Sequence, residues 1–78
     1  MTVRQGAAGV ILLEDECPVE DAEPLLALLQ SAAAPVIDWT ACRHLHTAVL
    51  QLVLAARPSI RGPCGDLFVR RWIEREMP

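Results

Sequence analysis

Cysteine and histidine lie close together at one point of the chain, in the pattern Cys42-x-His44-x-His46. Thiolate and imidazole are ligands that zinc prefers, and a closed zinc site needs four of them. Cys17 or Cys64 could supply the fourth ligand, because each follows a predicted strand and parallel strands end at one edge of a sheet. One hypothesis is therefore a small zinc-binding protein. The alternative is that the cysteines are half-buried packing residues and the histidines lie in a loop.

The same cysteine could also act as a nucleophile with a neighbouring histidine as its base. However, the sequence offers no third residue to orient that base. A chain of 78 residues also leaves little room for a deep substrate pocket. The sequence therefore predicts a protein that is not an enzyme and that needs no cofactor.

Thr47 follows the cysteine–histidine pattern, at the predicted start of a helix. A phosphate on its hydroxyl would meet unpaired backbone N–H groups and the positive end of the helix dipole. It would also add roughly −1.5 to −2 charges. Thr47 is therefore a phosphoacceptor candidate. The alternative is a structural role, in which its hydroxyl caps the helix by accepting a hydrogen bond from an N–H two or three residues on.

The helix predicted after Thr47 is apolar on almost every side. Within residues 48–56 only Gln51 is polar. A helix that is apolar all round is expected to be buried all round, but a small domain has few residues to cover both sides. We therefore expect part of this helix to contact a protein partner; the alternative is that Trp39 and the closing helix cover it. The predicted partner-binding surface consists of His44, His46, Thr47, Val49, Leu50 and Val53.

Short extended segments and helices alternate along the chain and position these residues. The predicted elements are strands at 2–5 and 10–14, a helix that begins near Glu20 or Asp21 and ends before Pro35, a strand at 36–39, a helix at 47–57, a strand at 59–62 and a closing helix capped by Gly65-Asp66. In the closing helix the side chains expected to face inward are Phe68, Trp72 and either Val69 or Ile73. The order ββαβαβα predicts an α/β fold in one domain over residues 1–78: a small mixed sheet of about four strands with helices packed on it.

Composition and charge narrow the class of partner. The net charge is −3, but residues 1–39 hold one arginine against seven acids, and residues 40–78 hold six arginines against three acids. This is not the basic domain that binding to nucleic acid requires. The longest apolar run is too short to span a bilayer. Three widely spaced cysteines without a secretory signal favour a reducing compartment, so we expect a cytoplasmic protein with no membrane segment.

Four stretches of the chain together resemble the STAS domain, the module of sulfate transporters and anti-sigma factor antagonists. They are TVRQGAAGVILLEDE, CPVEDAEPLLALLQ, PVIDWTACRHLHTAVLQLVLAAR and DLFVRRWIE, which resemble the opening hairpin, the first helix, the central strand with the second helix, and the closing helix of that family. In switchable members the loop before the second helix reads Asp-Ser-Ser/Thr/Ala-Gly, and its first Ser is phosphorylated. The matching positions here keep a hydroxyl at Thr47, whereas His46 replaces the Asp and Val49 replaces the Gly.

The STAS resemblance implies a non-catalytic, regulatory protein–protein interaction domain similar to an anti-sigma factor antagonist. The implied partner is an anti-sigma factor that is also a serine kinase, or another signalling component of a bacterium. The residues leave two alternatives open. One is the zinc-binding protein that uses Cys42, His44 and His46, and the other is a structural subunit that forms a weak homodimer through its second helix.

Overall fold

The described part of the chain contains six short strands, two α-helices, a C-terminal π-helix and two 3₁₀ turns. The structure is a computed structural model, and it describes residues 3–73. In chain order the elements are β1 (Val3–Gln5), β2 (Ile11–Leu13), β3 (Asp15–Cys17), α1 (Ala22–Ser31), β4 (Val36–Asp38), β5 (Cys42–Leu45), α2 (Thr47–Ala56), β6 (Ser59–Arg61) and a π-helix (Val69–Ile73). The prediction of a small mixed α/β domain is confirmed.

The main sheet has four strands in the order β1-β2-β4-β6. β1 pairs antiparallel with β2, and the other neighbours pair parallel, with Ile37 opposite both Ile11 and Ile60. The predicted hairpin between β1 and β2 is closed by a 3₁₀ turn at Ala7–Gly9, where Gly9 has a φ of 75° that glycine adopts without strain. Each parallel pair needs a crossover connection, and α1 and α2 supply the two crossovers.

β3 and β5 form a second, two-stranded parallel sheet that the sequence did not predict. They follow β2 and β4 along the chain, and Asp15 begins this pairing by donating from its backbone N to the carbonyl of Ala41 at 2.9 Å. The pairing shifts register between Asp15 and Glu16. Two polar residues in a three-residue strand leave no alternation of polar and apolar positions to read.

One hydrophobic core lies between the main sheet and the helices, and it includes residues from every strand of that sheet except β6. Val49, Leu50 and Val53 belong to it, with exposed fractions of 0%, 8% and 0%. The structure therefore does not expose these three side chains at the surface where the sequence predicts contact with a partner. Trp39 and Val69 share the same core cluster, so the domain covers this face of α2 with its own residues.

The C-terminal helical segment begins where the sequence predicts, but different side chains face the core. The Asp66 carboxylate caps it by accepting hydrogen bonds from the backbone N–H groups of Phe68 (2.9 Å) and Val69 (3.3 Å). Val69 is buried and Ile73 is partly buried, whereas Phe68 and Trp72 are 62% and 59% exposed. The inward orientation predicted for Phe68 and Trp72 is wrong, because a segment this short presents only one side to the core.

Among residues 3–73, each helix is too short to cross a membrane as an apolar span. The longest helices, α1 and α2, have ten residues each, and a bilayer core needs roughly 20.

Candidate functional site

The start of α2 is capped by His46 rather than by Thr47. Nδ1 of His46 accepts a hydrogen bond from the backbone N–H of Ala48 at 3.0 Å, so this nitrogen carries no proton. Its own backbone N–H donates to the carbonyl of Cys17 at 3.0 Å, which fixes the helix start to β3. Thr47 is therefore the first helical residue and is exposed. The capping role considered for Thr47 belongs to its neighbour, and its hydroxyl lies at the surface.

His44 lies on the surface beside the carboxylate that caps the C-terminal segment. Its Nδ1 is 3.7 Å from Oδ2 of Asp66. The same Oδ2 accepts a hydrogen bond from the backbone N–H of Leu45 at 2.9 Å. Asp66 is buried, and its two carboxylate oxygens therefore join β5 to the C-terminal helix.

All three cysteines of the chain meet in the core. Sγ of Cys17 lies 3.8 Å from Sγ of Cys42, and Cys64 also contacts Cys42. All three are completely buried, and none forms a disulfide. The hydrogen bonds with Cys17 and Cys64, together with burial, raise the pKa of the Cys42 thiol well above its usual range. We call these three residues the thiol cluster.

The zinc site considered from the sequence does not assemble. The thiol of Cys42 lies in the core, whereas the imidazoles of His44 and His46 are at the surface, each held by other contacts. Within the described range, 3–73, no group of three or more His, Cys, Asp or Glu side chains is arranged to hold a metal ion. The thiol–imidazole pair is also not formed, because Sγ of Cys42 donates to the backbone carbonyl of His44 at 3.4 Å.

An open apolar groove runs between the two long helices. Its lining residues are Ala22, Glu23 and Leu26 of α1 and Ala48, Gln51, Leu52 and Ala55 of α2, and its volume is ≈ 410 Å³. We call it the α1–α2 groove. Leu26 is 40% exposed at its surface. Ala48 follows Thr47 directly, so the candidate phosphoacceptor lies next to one end of the groove.

The groove is lined by one acidic side chain and by a helix that carries no charge. The residues of α2 include no charged side chain. Glu23 lines the groove, and Glu20 lies in the 3₁₀ turn Val19–Asp21, which contacts α2. Asp21 of this turn is buried, and burial raises the pKa of its carboxyl group. The groove therefore combines small apolar side chains with the carboxylate of Glu23.

Sequence reasoning missed this groove, although its signal was present. The apolar character of α2 on all sides indicated a second covered face, and the residues assigned to that face were those that the domain buries itself. The groove residues follow the same helical spacing, at positions 48, 51, 52 and 55. The sequence did not indicate which of the two faces would lie against the sheet.

No protein-family model matches the chain, and a comparison with curated proteins and with solved structures finds no match. The STAS resemblance therefore rests on the sequence patterns alone.

Proposed function

We propose that this protein is a regulatory domain that binds one helix of a protein partner in the α1–α2 groove, as an anti-sigma factor antagonist-like module. The observation that carries the proposal is the groove itself, an open apolar surface between two helices. Exposed apolar surface of this kind commonly marks a protein interaction site. An amphipathic helix fits such a groove because it buries an apolar face and keeps its polar face in water.

The charges at the groove indicate the chemistry of the partner. Glu23 lines the groove, Glu20 lies in the 3₁₀ turn that contacts α2, and among residues 3–73 no basic side chain lines this surface. A partner helix with an apolar face and arginine or lysine at one end would pair its charges with these carboxylates. Such complementarity accelerates association and favours the correct partner over others.

Phosphorylation of Thr47 switches this surface. A phosphate there would lie at the positive end of the α2 dipole and next to the groove. For a basic partner helix, Coulomb's law sets the sign: the added negative charge strengthens binding. The STAS resemblance supports Thr47 as the modified residue, because it is the hydroxyl at the phosphoacceptor position.

The test uses a matched pair of leucines. Leu26 lies in the groove and is 40% exposed, whereas Leu54 lies on α2 outside the groove and is 39% exposed. Tagged wild-type protein, Leu26→Gln and Leu54→Gln are used to capture partners from the native cell, followed by mass spectrometry and by titration of the identified partner. We expect Leu26→Gln to weaken binding by about tenfold or more, since burial of one leucine contributes ~1.5–3 kcal/mol. Leu54→Gln should bind like the wild type.

A third variant tests the charge of the partner and the switch in the same titration. Thr47→Glu adds one negative charge next to the groove, so we expect tighter binding that weakens as salt is added. Equal loss of binding in both leucine variants, or no partner that distinguishes them, would overturn the groove as the binding site. Weaker binding of Thr47→Glu would contradict a basic partner helix.

A further inference from the structure

We propose that Cys17 and Cys42 form a disulfide bond when the protein meets a disulfide oxidant, and that this bond locks the start of α2 to β3. The two sulfur atoms are already neighbours, 3.8 Å apart. A disulfide has an S–S length of ~2.05 Å, so the atoms need to approach by less than ~2 Å. The residues lie on paired strands, where Cys17 is opposite Leu45 and Asp15 is opposite Cys42.

Oxidation of this pair would also affect the start of α2, because both cysteines contact the residues that hold it. The carbonyl of Cys17 accepts the hydrogen bond from the backbone N–H of His46, and His46 caps α2. The thiol of Cys42 donates to the carbonyl of His44, two residues before that cap. A bond between the two sulfurs would therefore join β3 covalently to β5, the strand that leads into the start of α2 at Thr47.

The chemistry needs an oxidant of the disulfide class, such as oxidised glutathione. One cysteine loses its proton and attacks a glutathione sulfur, which releases one glutathione thiol and leaves a mixed disulfide. The second cysteine then attacks the protein sulfur of that mixed disulfide and releases the second glutathione thiol. Two protein thiols are oxidised by two electrons, and one glutathione disulfide is reduced to two thiols.

The burial of both cysteines and the raised pKa of Cys42 slow this reaction but do not prevent it. Attack requires a thiolate, and the hydrogen bonds with Cys17 and Cys64 keep Cys42 protonated. Neither Cys17 nor Cys42 is exposed to solvent. The oxidant must therefore reach the pair during a local opening of the short β3–β5 sheet, and the bond forms as that sheet closes again.

Cys64 provides the internal control, because it is equally buried and also contacts Cys42. The full chain is incubated with oxidised glutathione in native buffer, the remaining thiols are alkylated, and the linked peptides are mapped by mass spectrometry. We expect the loss of two hydrogen masses, a Cys17–Cys42 link and an alkylated Cys64. Cys64→Ala should still form the link, and Cys17→Ala should not.

A second measurement reads the effect on the fold. Closing a loop between these residues restricts the unfolded chain, so the oxidised protein should have a Tm higher by roughly 10 °C or more. Hydrogen exchange at Ala48 should slow at least tenfold in the oxidised protein, since its N–H donates to His46. A link that maps to Cys64, glutathione adducts alone, or a bond that forms only in the urea-unfolded chain would each overturn the proposal.

Discussion

His46 and Thr47 show how far single residues can be interpreted before a structure is known. Thr is a better helix cap than His on preference alone, so the sequence favoured Thr47 as the cap, yet the imidazole of His46 makes the hydrogen bond. The distinction depends on one residue of register at the helix start, where sequence signals are least accurate. The same limit explains why Val49, Leu50 and Val53 were assigned to the surface: the apolar pattern identified the helix but not the face that the sheet covers.

Asp38 offers a prediction at the residue scale. Its carboxylate accepts hydrogen bonds from the backbone N–H (3.0 Å) and the hydroxyl (2.7 Å) of Thr40, and these bonds lower the pKa of Asp38. Because the folded pKa lies below the unfolded one, ionised Asp38 contributes stability at any pH above the usual carboxyl pKa of about 4. That stability is lost as the pH falls through the lower, folded-state pKa.

Replacement of Asp38 by Asn should therefore reduce the loss of unfolding free energy that occurs as the pH falls. The measurement is the free energy of unfolding in urea between about pH 2 and pH 6. Thr40→Ala keeps the backbone donor and removes the hydroxyl, so it should raise the pKa of Asp38 part of the way, as read by NMR titration. A loss at low pH that is identical in Asp38→Asn and the wild type would show that this turn contributes no stability.

At the scale of elements, the helices and the four strands of the main sheet were predictable, and the second sheet was not. Proline and the apolar spacing place the ends of α1 and α2 within about a turn of their predicted positions. β3 and β5 lack such a signal because each is three or four residues long and β3 begins with two acids. The pairing depends on contacts between distant parts of the chain, which the local pattern does not encode.

Gly65 lies where the loop before the C-terminal segment passes close to the backbone of β5. Its backbone N–H donates to the carbonyl of Trp39, and a Cβ atom at this position would clash with the carbonyl oxygen of Cys42. Backbone atoms on both sides leave no flexible group that could move aside. We expect Gly65→Ala to destabilise the fold by ~2 kcal/mol or more, as measured by urea denaturation.

Gly6→Ala is the matched control for this substitution. A Cβ there would meet the end of the Leu12 side chain at 2.9 Å, and a side-chain tip can rotate away at little cost. Its cost should be well below that of Gly65→Ala. If the two variants are equally stable, the close contact between the Gly65 segment and β5 is not a constraint on the fold.

At the scale of the whole molecule, the sequence was enough to predict the fold class and the single core, but not how the C-terminal segment packs. The two tryptophans differ sharply in their exposure to solvent. Trp39 is fully buried in the core, and Trp72 is 59% exposed on the C-terminal segment. Amphipathic spacing predicts an inward face for Trp72, but the side of the segment that packs against the core carries Val69 and Ile73 instead.

Fluorescence quenching with acrylamide tests this arrangement directly. The wild-type protein should contain one accessible and one protected emitter. Trp72→Phe should leave blue-shifted emission that acrylamide quenches poorly, with stability within ~0.5 kcal/mol of the wild type. Trp39→Phe should leave red-shifted, strongly quenched emission and a lower Tm. Two equally quenched tryptophans would contradict the orientation of the C-terminal segment.

The order of strands in the main sheet also bears on how the chain can acquire its structure during synthesis. Since β1, β2, β4 and β6 are neighbours in the same order in which they occur along the chain, each new strand adds to the open edge left by the one before. No strand has to insert between two that have already paired. During synthesis the sheet can therefore grow from the β1–β2 hairpin outward, with β4 and then β6 added in turn.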